Sequence, residues 1–160
     1  MAALIRPFDG DDASAVVQLS LRAWEPVFES LEAVLAETIF GRLHPDWRAD
    51  QRRAVNEVLA SETNHVWVAQ VGTRVAGFVA VELDRGRRIG EVSMLAVDPD
   101  LQNGGLGTEL TAFALDWISE AGMTVALVET GGDAGHAPAR RTYEKAGFTL
   151  LPVARYFKAL

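Results

Sequence analysis

The residues whose types and spacing point most directly to chemistry lie between Gln102 and Thr108. The stretch Gln102-Asn103-Gly104-Gly105-Leu106-Gly107-Thr108 follows an apolar strand-like run, Val92 to Val97, and a turn at Asp98-Pro99. A helical pattern begins at its end. A helix start leaves backbone N–H groups without intrahelical partners, and the aligned peptide dipoles add partial positive charge there. Glycines permit positive φ and let a phosphate come close to the backbone. The stretch therefore reads as a cradle for a phosphate compound. A Walker A loop would end in Gly-Lys-Ser/Thr. Here Gly107 is followed by Thr108 and Glu109, and lysine occurs only at 145 and 158. A dinucleotide fingerprint needs Gly-x-Gly-x-x-Gly near the start of a βαβ unit. Position 110 is leucine, and the stretch lies past the middle of the chain. What remains is Gln-x-x-Gly-x-Gly, carried by Gln102, Gly105 and Gly107.

This pattern resembles the acyl-CoA pyrophosphate loop of the GNAT superfamily of N-acetyltransferases. A second motif, Ala139-x-x-x-Tyr143-Glu144-Lys145-Ala146-Gly147-Phe148, resembles the family's Asn-x-x-Ala-x-x-x-Tyr-Glu-Lys-x-Gly-Phe. His136 stands where that asparagine usually is. The two motifs have the family's order and separation. The resemblance implies acetyl-CoA as co-substrate. Backbone groups of Leu95, Ala96 and Val97 would pair with the pantetheine amides like an added strand. The N–H groups of Gln102, Asn103, Gly104, Gly105, Leu106, Gly107 and Thr108 would hold the pyrophosphate. His136 and Arg140 would also lie against the cofactor, with Arg140 or Arg141 reaching a phosphate. Tyr143 matches the family's general acid, and Glu91 matches in position the carboxylate base of histone-acetylating members.

Amine acylation makes its own demands on residue types. An alkylammonium has a pKa around 10 in water, so a base or a desolvating pocket must remove its proton. Glu91 opens the strand of the cofactor site. Glu129 ends the neighbouring strand, and both it and Glu82 are placed to face the same cleft. Histidine as a residue type can accept a proton near neutral pH, which adds His65 and His136 as candidates. The backbone N–H groups near Leu95 and Ala96 are the natural donors to a tetrahedral oxyanion. A tyrosine hydroxyl such as that of Tyr143 can donate a proton to the leaving thiolate. The histidines at 44, 65 and 136 have no metal-ligand spacing, so no metal is expected.

The elements that must position these groups are legible from periodicity. Ala3 to Pro7 reads as a first strand. Val16, Leu19, Ala23 and Val27 recur at helical spacing, with Pro26 predicting a kink or an end near Glu25. Leu31 to Ile39 predicts a second helical piece stopped by Gly41, and Asp46 caps a helix through Val55, Val58 and Leu59. Between them, Trp24, Phe28, Phe40 and Trp47 read either as core or as the wall of a substrate pocket formed by Trp24, Phe28 and Trp47. Val66 to Val71, Arg74 to Leu83 and Ile89 to Val97 form an antiparallel meander, its first turn at Gly72-Thr73. Leu106 to Ile118 is amphipathic and ends before Gly122. Val125 to Thr130 follows this crossover helix and should lie parallel to the preceding strand. Pro138 opens a last helix to Ala146, and Phe148 to Leu151 and Val153 to Ala159 are expected as two closing strands. The order resembles the GNAT fold throughout: mixed α/β in three layers, a mostly antiparallel central sheet and one splayed parallel pair.

The chain of 160 residues is expected to be one domain, 1–160. A net charge of −7 argues against nucleic acid as a partner and is compatible with a cationic amine. The absence of cysteine excludes disulfides, thiolate metal sites and a cysteine nucleophile. No apolar run has signal-peptide or membrane-spanning length, so cytoplasmic residence without membrane partners is expected. Dimerisation is common in the family, so a homodimer is the oligomer to test. The functional expectation is acetyl transfer from acetyl-CoA directly to a primary amine of a small molecule or peptide. A non-catalytic acyl-CoA-binding regulatory module is the alternative.

Overall fold

The computed structural model describes residues 2–160. Its sheet has five strands in sequence order, β1 (Leu4–Pro7), β2 (Asn64–Val71), β3 (Arg74–Asp84), β4 (Ile89–Val97) and β5 (Val125–Val128). The first three pairings are antiparallel and β4–β5 is parallel. That change follows from the connection: a helix, α3 (Leu106–Glu120), carries the chain back to the starting end of the sheet before β5 begins.

Alternation along the strands divides the core into two layers. Trp67, Val79, Val81 and Val92 pack under Leu110, Ala114 and Ile118 of α3. On the opposite face Val68, Phe78 and Ala96 meet Val16, Val17 and Leu19 of α1 (Ala13–Leu43) and Val55 of α2 (Trp47–Ala60). The approach of α3 is close. A Cβ at Gly90 would lie 2.5 Å from Ile118 Cγ2, so only glycine lets the helix settle at that height.

Strand β4 contains an irregularity that the hydrophobic pattern did not reveal. Val81 faces Val92, whereas Ala80 faces Met94, so Ser93 is an extra residue. The Ser93 hydroxyl lies 2.7 Å from Asn64 Oδ1 and 3.2 Å from the Ala80 carbonyl, and it shares its hydrogen between them. A bulge of this kind bends its strand and reverses the facing of the residues beyond it. Val92 accordingly belongs to the α3 layer, while Met94 and Ala96 belong to the α1–α2 layer.

Two expectations about helices need correction. Helix α1 runs through Pro26 and is broken instead at Ala36, whose φ and ψ are 59° and 158°. Proline costs one intrahelical hydrogen bond. Trp24 packs into the core before it, and Phe28 stacks on Trp47 after it, with centroids 4.5 Å apart. That tertiary packing outweighs the local cost. Gly41 does not stop the second piece either. The helix continues to Leu43, and His44 N–H closes it on the Phe40 carbonyl at 2.8 Å. Asp46 caps α2 as expected, accepting from Ala49 N at 3.0 Å.

The two closing strands are absent. After α4 (Ala137–Lys145) and the positive-φ Gly147, residues 148–160 form no secondary structure. Strand propensity acts through packing and pairing with a neighbour, and here no ladder forms with β5, which itself stops at Val128 rather than Thr130.

Replacing Gly90 by alanine is expected to lower unfolding stability by about 1–3 kcal/mol through overpacking against Ile118. A lower urea midpoint at unchanged slope would show it; an unchanged midpoint would mean that α3 packs farther from the sheet.

Candidate active site

The β4–β5 ladder runs from Ile89–Val125 to Val92–Val128 and then ends. β4 continues to Val97, so from Ser93 onward its edge on that side has no strand partner among the described residues. The opening begins at the bulge. Leu95, Ala96 and Val97 lie on this stretch of β4.

The glycine loop follows directly. A short 3₁₀ turn, Pro99–Leu101, is capped by Asp98, whose carboxylate accepts from Asp100 N at 3.0 Å. Asp98 is 3% exposed and paired with Arg22 of α1 and Arg74 of β3. One carboxylate thereby ties the loop to both the sheet and the first helix. Gln102 turns back and donates from Nε2 to the Val97 carbonyl at 3.2 Å. Asn103 and Gly105 have φ of 65° and 88°. Gly105 is the N-cap of α3, with no side chain bonded to the helix start. Intrahelical partners are lacking for the first N–H groups of any helix, so Leu106, Gly107 and Thr108 open toward the loop. A Cβ would meet nothing closer than 3.5 Å at Gly104 or 3.8 Å at Gly107. Internal packing therefore does not require glycine at those two positions. Close approach of a phosphate to the backbone would.

Three carboxylates gather across the sheet. Glu82 and Glu91 face each other in the β3–β4 register, Glu91 pairs with Leu127, and Glu129 lies one residue beyond β5. Because Val92 points to the α3 layer, Glu91 points to the other face. Glu91 lies in an open groove of about 460 Å³ with Glu82, Leu83, Ile89 and Leu127. Burial pushes its carboxyl above the usual range, and the charges of Glu129 and Glu82 push it further in the same direction.

A second cluster surrounds His136, and sequence reasoning missed most of it. A 3₁₀ turn, Ala134–His136, precedes α4. His136 Nδ1 makes a short hydrogen bond to Asp133 Oδ1. Asp133 Oδ2 accepts from Ser30 Oγ at 2.6 Å, and Ser30 Oγ accepts from Gly135 N at 2.9 Å. Burial pushes the Asp133 carboxyl up, but the bonds from Ser30 and His136 and the charge of His136 bring it below its usual value. An ionised Asp133 makes Nδ1 the donor and leaves Nε2 as the ring nitrogen free for other work. The loop is shaped to this cluster. A Cβ at Gly131 would clash with Asp133 Oδ1 and lie 2.5 Å from His136 Nδ1, and one at Gly135 would lie 2.6 Å from Ser30 Cβ. Arg140 donates to the carbonyls of Gly131 and Asp133 at 2.6 and 2.7 Å, so its guanidinium braces this loop. The three-residue spacing of Asp133 and His136 was visible in the chain. Ser30, 103 residues from Asp133, carried no local signal.

Tyr143 is half-buried, its ring 5.8 Å from that of Phe148. Burial raises its pKa, so it remains a protonated donor at neutral pH. His136, Arg140 and Tyr143 recur at helical spacing along one side of α4. His65 does not join this group. Its ring packs 4.6 Å from Trp117 on the α3 side of the sheet, opposite Glu91. Phe28 and Trp47 stack between α1 and α2, and Arg48 covers Trp47 at 4.3 Å, so this aromatic pair fastens the two helices.

The free edge of β4 thus runs past the end of the parallel pair toward an uncapped helix start. Residues 24–148 match the acetyltransferase (GNAT) family model, and the chain belongs to that family. It is 32% identical over 149 residues to a mycothiol acetyltransferase of Amycolatopsis mediterranei, covering 88% of this chain but 44% of that protein. The relative from Sanguibacter keddieii is 33% identical, with 84% and 45% covered. The chain thus spans less than half the length of these curated relatives. Among solved structures, the PaiA N-acetyltransferase of Thermoplasma acidophilum in complex with coenzyme A superposes with a TM-score of 0.70 at 13% identity, covering 96% and 94% of the two chains. The ribosomal-protein-S18-alanine N-acetyltransferase of Escherichia coli gives 0.68 at 19%, covering 94% and 79%. No helix among the described residues is long and apolar enough to cross a membrane.

Two outcomes are expected from this geometry. Long-range ¹⁵N–¹H spectra near neutral pH should show His136 as the Nδ1–H tautomer in the native protein, and Asp133→Asn should abolish that preference. Retention of the same tautomer in the variant would remove Asp133 as its cause. Separately, Glu129→Gln should move the titration of Glu91, followed by carboxyl ¹³C shifts, to lower pH, because it removes a neighbouring negative charge. An unmoved curve would show that burial acts alone.

Proposed function

We propose that the chain transfers the acetyl group of acetyl-CoA directly to a primary amine of a small molecule or peptide, with residues 1–160 acting as one domain. The observation that carries this reading is the β4 edge left free from Ser93 to Val97 beside an uncapped helix start whose glycines have room for a ligand. Backbone groups of Leu95, Ala96 and Val97 would hold the pantetheine arm. The N–H groups from Gln102 to Thr108 would take the pyrophosphate. Gln102 also stiffens the loop through Val97, and Arg140 acts on the cofactor mainly by bracing the 131–136 loop.

In the reaction the amine must lose a proton before or as its nitrogen attacks the thioester carbonyl. Glu91, with its raised pKa, is the base in this reading, and Glu129 and Glu82 contribute by keeping it raised and by attracting a cationic amine. The new N–C bond forms a tetrahedral oxyanion stabilised by backbone N–H groups near Leu95 and Ala96. The C–S bond then breaks, and Tyr143 gives its proton to the departing thiolate. No acyl-cysteine can intervene, since the chain has no cysteine. The aromatic side chains of Trp24, Phe28 and Trp47 are proposed to form the distal wall of the amine site. The relatives' name adds mycothiol-related amines to the substrates to test, and the ribosomal-protein-alanine acetyltransferase among the structural neighbours adds peptide amines.

Free CoA thiol released from acetyl-CoA against such an amine panel is the deciding measurement, and a cysteine-free protein adds no background to it. Tyr143→Phe should lower kcat by about 10²-fold or more, the usual contribution of a general acid, with little change in acetyl-CoA affinity. The acidic limb of the kcat/KM profile should lie above the ordinary carboxylate range and vanish in Glu91→Gln. Turnover rises with pH through that limb because the base must be ionised. Acetyl-CoA binding without turnover across the panel would instead favour a non-catalytic acyl-CoA-binding module.

A further inference from the structure

Asp98 stands between the two halves of the proposed cofactor seat. Before it lie Leu95, Ala96 and Val97 on the free stretch of β4. After it come the turn Pro99–Leu101 and the glycine loop. All its hydrogen-bonding groups are engaged. Its N–H donates to the Ala76 carbonyl of β3 at 2.8 Å, and its own carbonyl accepts from Leu101 N–H at 2.8 Å. Oδ1 accepts from Asp100 N–H at 3.0 Å. Oδ2 accepts from Arg22 of α1 at 3.1 Å and also from Arg74 of β3. The same two guanidiniums hold Asp100, at 2.9 and 3.1 Å. The two aspartates differ in burial. The Asp98 side chain is 4% exposed and that of Asp100 61%, so water readily replaces the partners of Asp100 but not those of Asp98.

We propose that Asp98 is a positioning residue for acetyl-CoA, fixing the direction in which the glycine loop leaves β4. The inference rests on the acetyl-transfer reading. Pantetheine and pyrophosphate belong to one covalent ligand, and such a ligand engages two seats together only when their separation fits its own. The loop does not set that separation by itself. Asn103 and Gly105 have positive φ, and a Cβ at Gly105 would meet nothing within 4 Å. Gln102 adds one bond to the Val97 carbonyl at 3.2 Å, but through a long side chain that leaves the loop's direction open. The direction comes from Asp98. Its carboxylate holds the turn from inside, and Arg22 and Arg74 hold that carboxylate from α1 and β3.

Charge and positioning make opposite demands here. By charge alone, neutralising either aspartate would strengthen the binding of a diphosphate nearby. By positioning, neutralising Asp98 weakens that binding and neutralising Asp100 does not.

The test is the affinity for coenzyme A, measured by titration calorimetry with circular dichroism as the check on folding. Asp98→Asn should raise Kd about tenfold or more, the weight of hydrogen bonds to charged groups. Asp98→Glu keeps the charge and moves the carboxylate by one methylene. It should weaken binding too, which charge does not predict. Asp100→Asn should bind coenzyme A as tightly as the unmodified protein or more tightly. Unchanged or tighter binding in either Asp98 variant, equal weakening in Asp100→Asn, or loss of the native fold in both Asp98 variants would overturn the proposal. An unmodified protein that does not bind coenzyme A would overturn the acetyl-transfer reading as well.

Discussion

Strand β4 has a partner on both edges only as far as Val92, and the site depends on that limit. Four residue pairs join β4 to β5, and then Ser93 bulges and β5 ends. Had the ladder continued, its hydrogen bonds would have consumed the backbone groups of Leu95, Ala96 and Val97. Had there been no bulge, Glu91 would share a face with Leu95 and Val97 and lie under α3. One inserted residue thus frees an edge for a ligand and turns a carboxylate toward the face where α1 and α2 form the wall.

The parts around this opening are held by polar ties between distant segments. Asp98 gathers Arg22 and Arg74 at the root of the glycine loop. Ser30 and Asp133 join α1 to the turn before α4, and Arg140 braces the same turn from the other side. Each tie satisfies a polar group that burial would otherwise penalise, so rigidity of the site and satisfaction of its buried groups come from the same contacts. Glu91 stands apart from this pattern. It is partly buried and its neighbours are carboxylates, and the raised pKa that burial and then those charges produce suits a group that must exchange a proton.

Where sequence patterns and structure disagree, the cause is tertiary. Pro26 carries a strong local stop signal, yet Trp24 and Phe28 on either side of it are packed, and the helix continues. The apolar residues after Gly147 have strand propensity, but they pair with no strand of their own chain and remain irregular. By residue type Glu91 is the first candidate base along the chain and His65 a lesser one, and strand alternation and the bulge send them to opposite faces.

The sequence by itself determined the elements whose signals are local: the glycine loop and its helix, the three-strand meander, the Asp46 cap, the parallel return of β5 and the Tyr143–Phe148 motif. Periodicity, turn chemistry and connection length decide these elements over a few residues, and the resemblance of the two motifs and of the element order pointed to the GNAT family. Only the tertiary structure decided which side of the sheet Glu91 occupies, that Asp133 and Ser30 hold His136, that Gln102 and Arg140 spend hydrogen bonds on their own loops, and that the last twelve residues join no strand. Those outcomes depend on register and on contacts across up to 105 residues of sequence, and no local pattern encodes either.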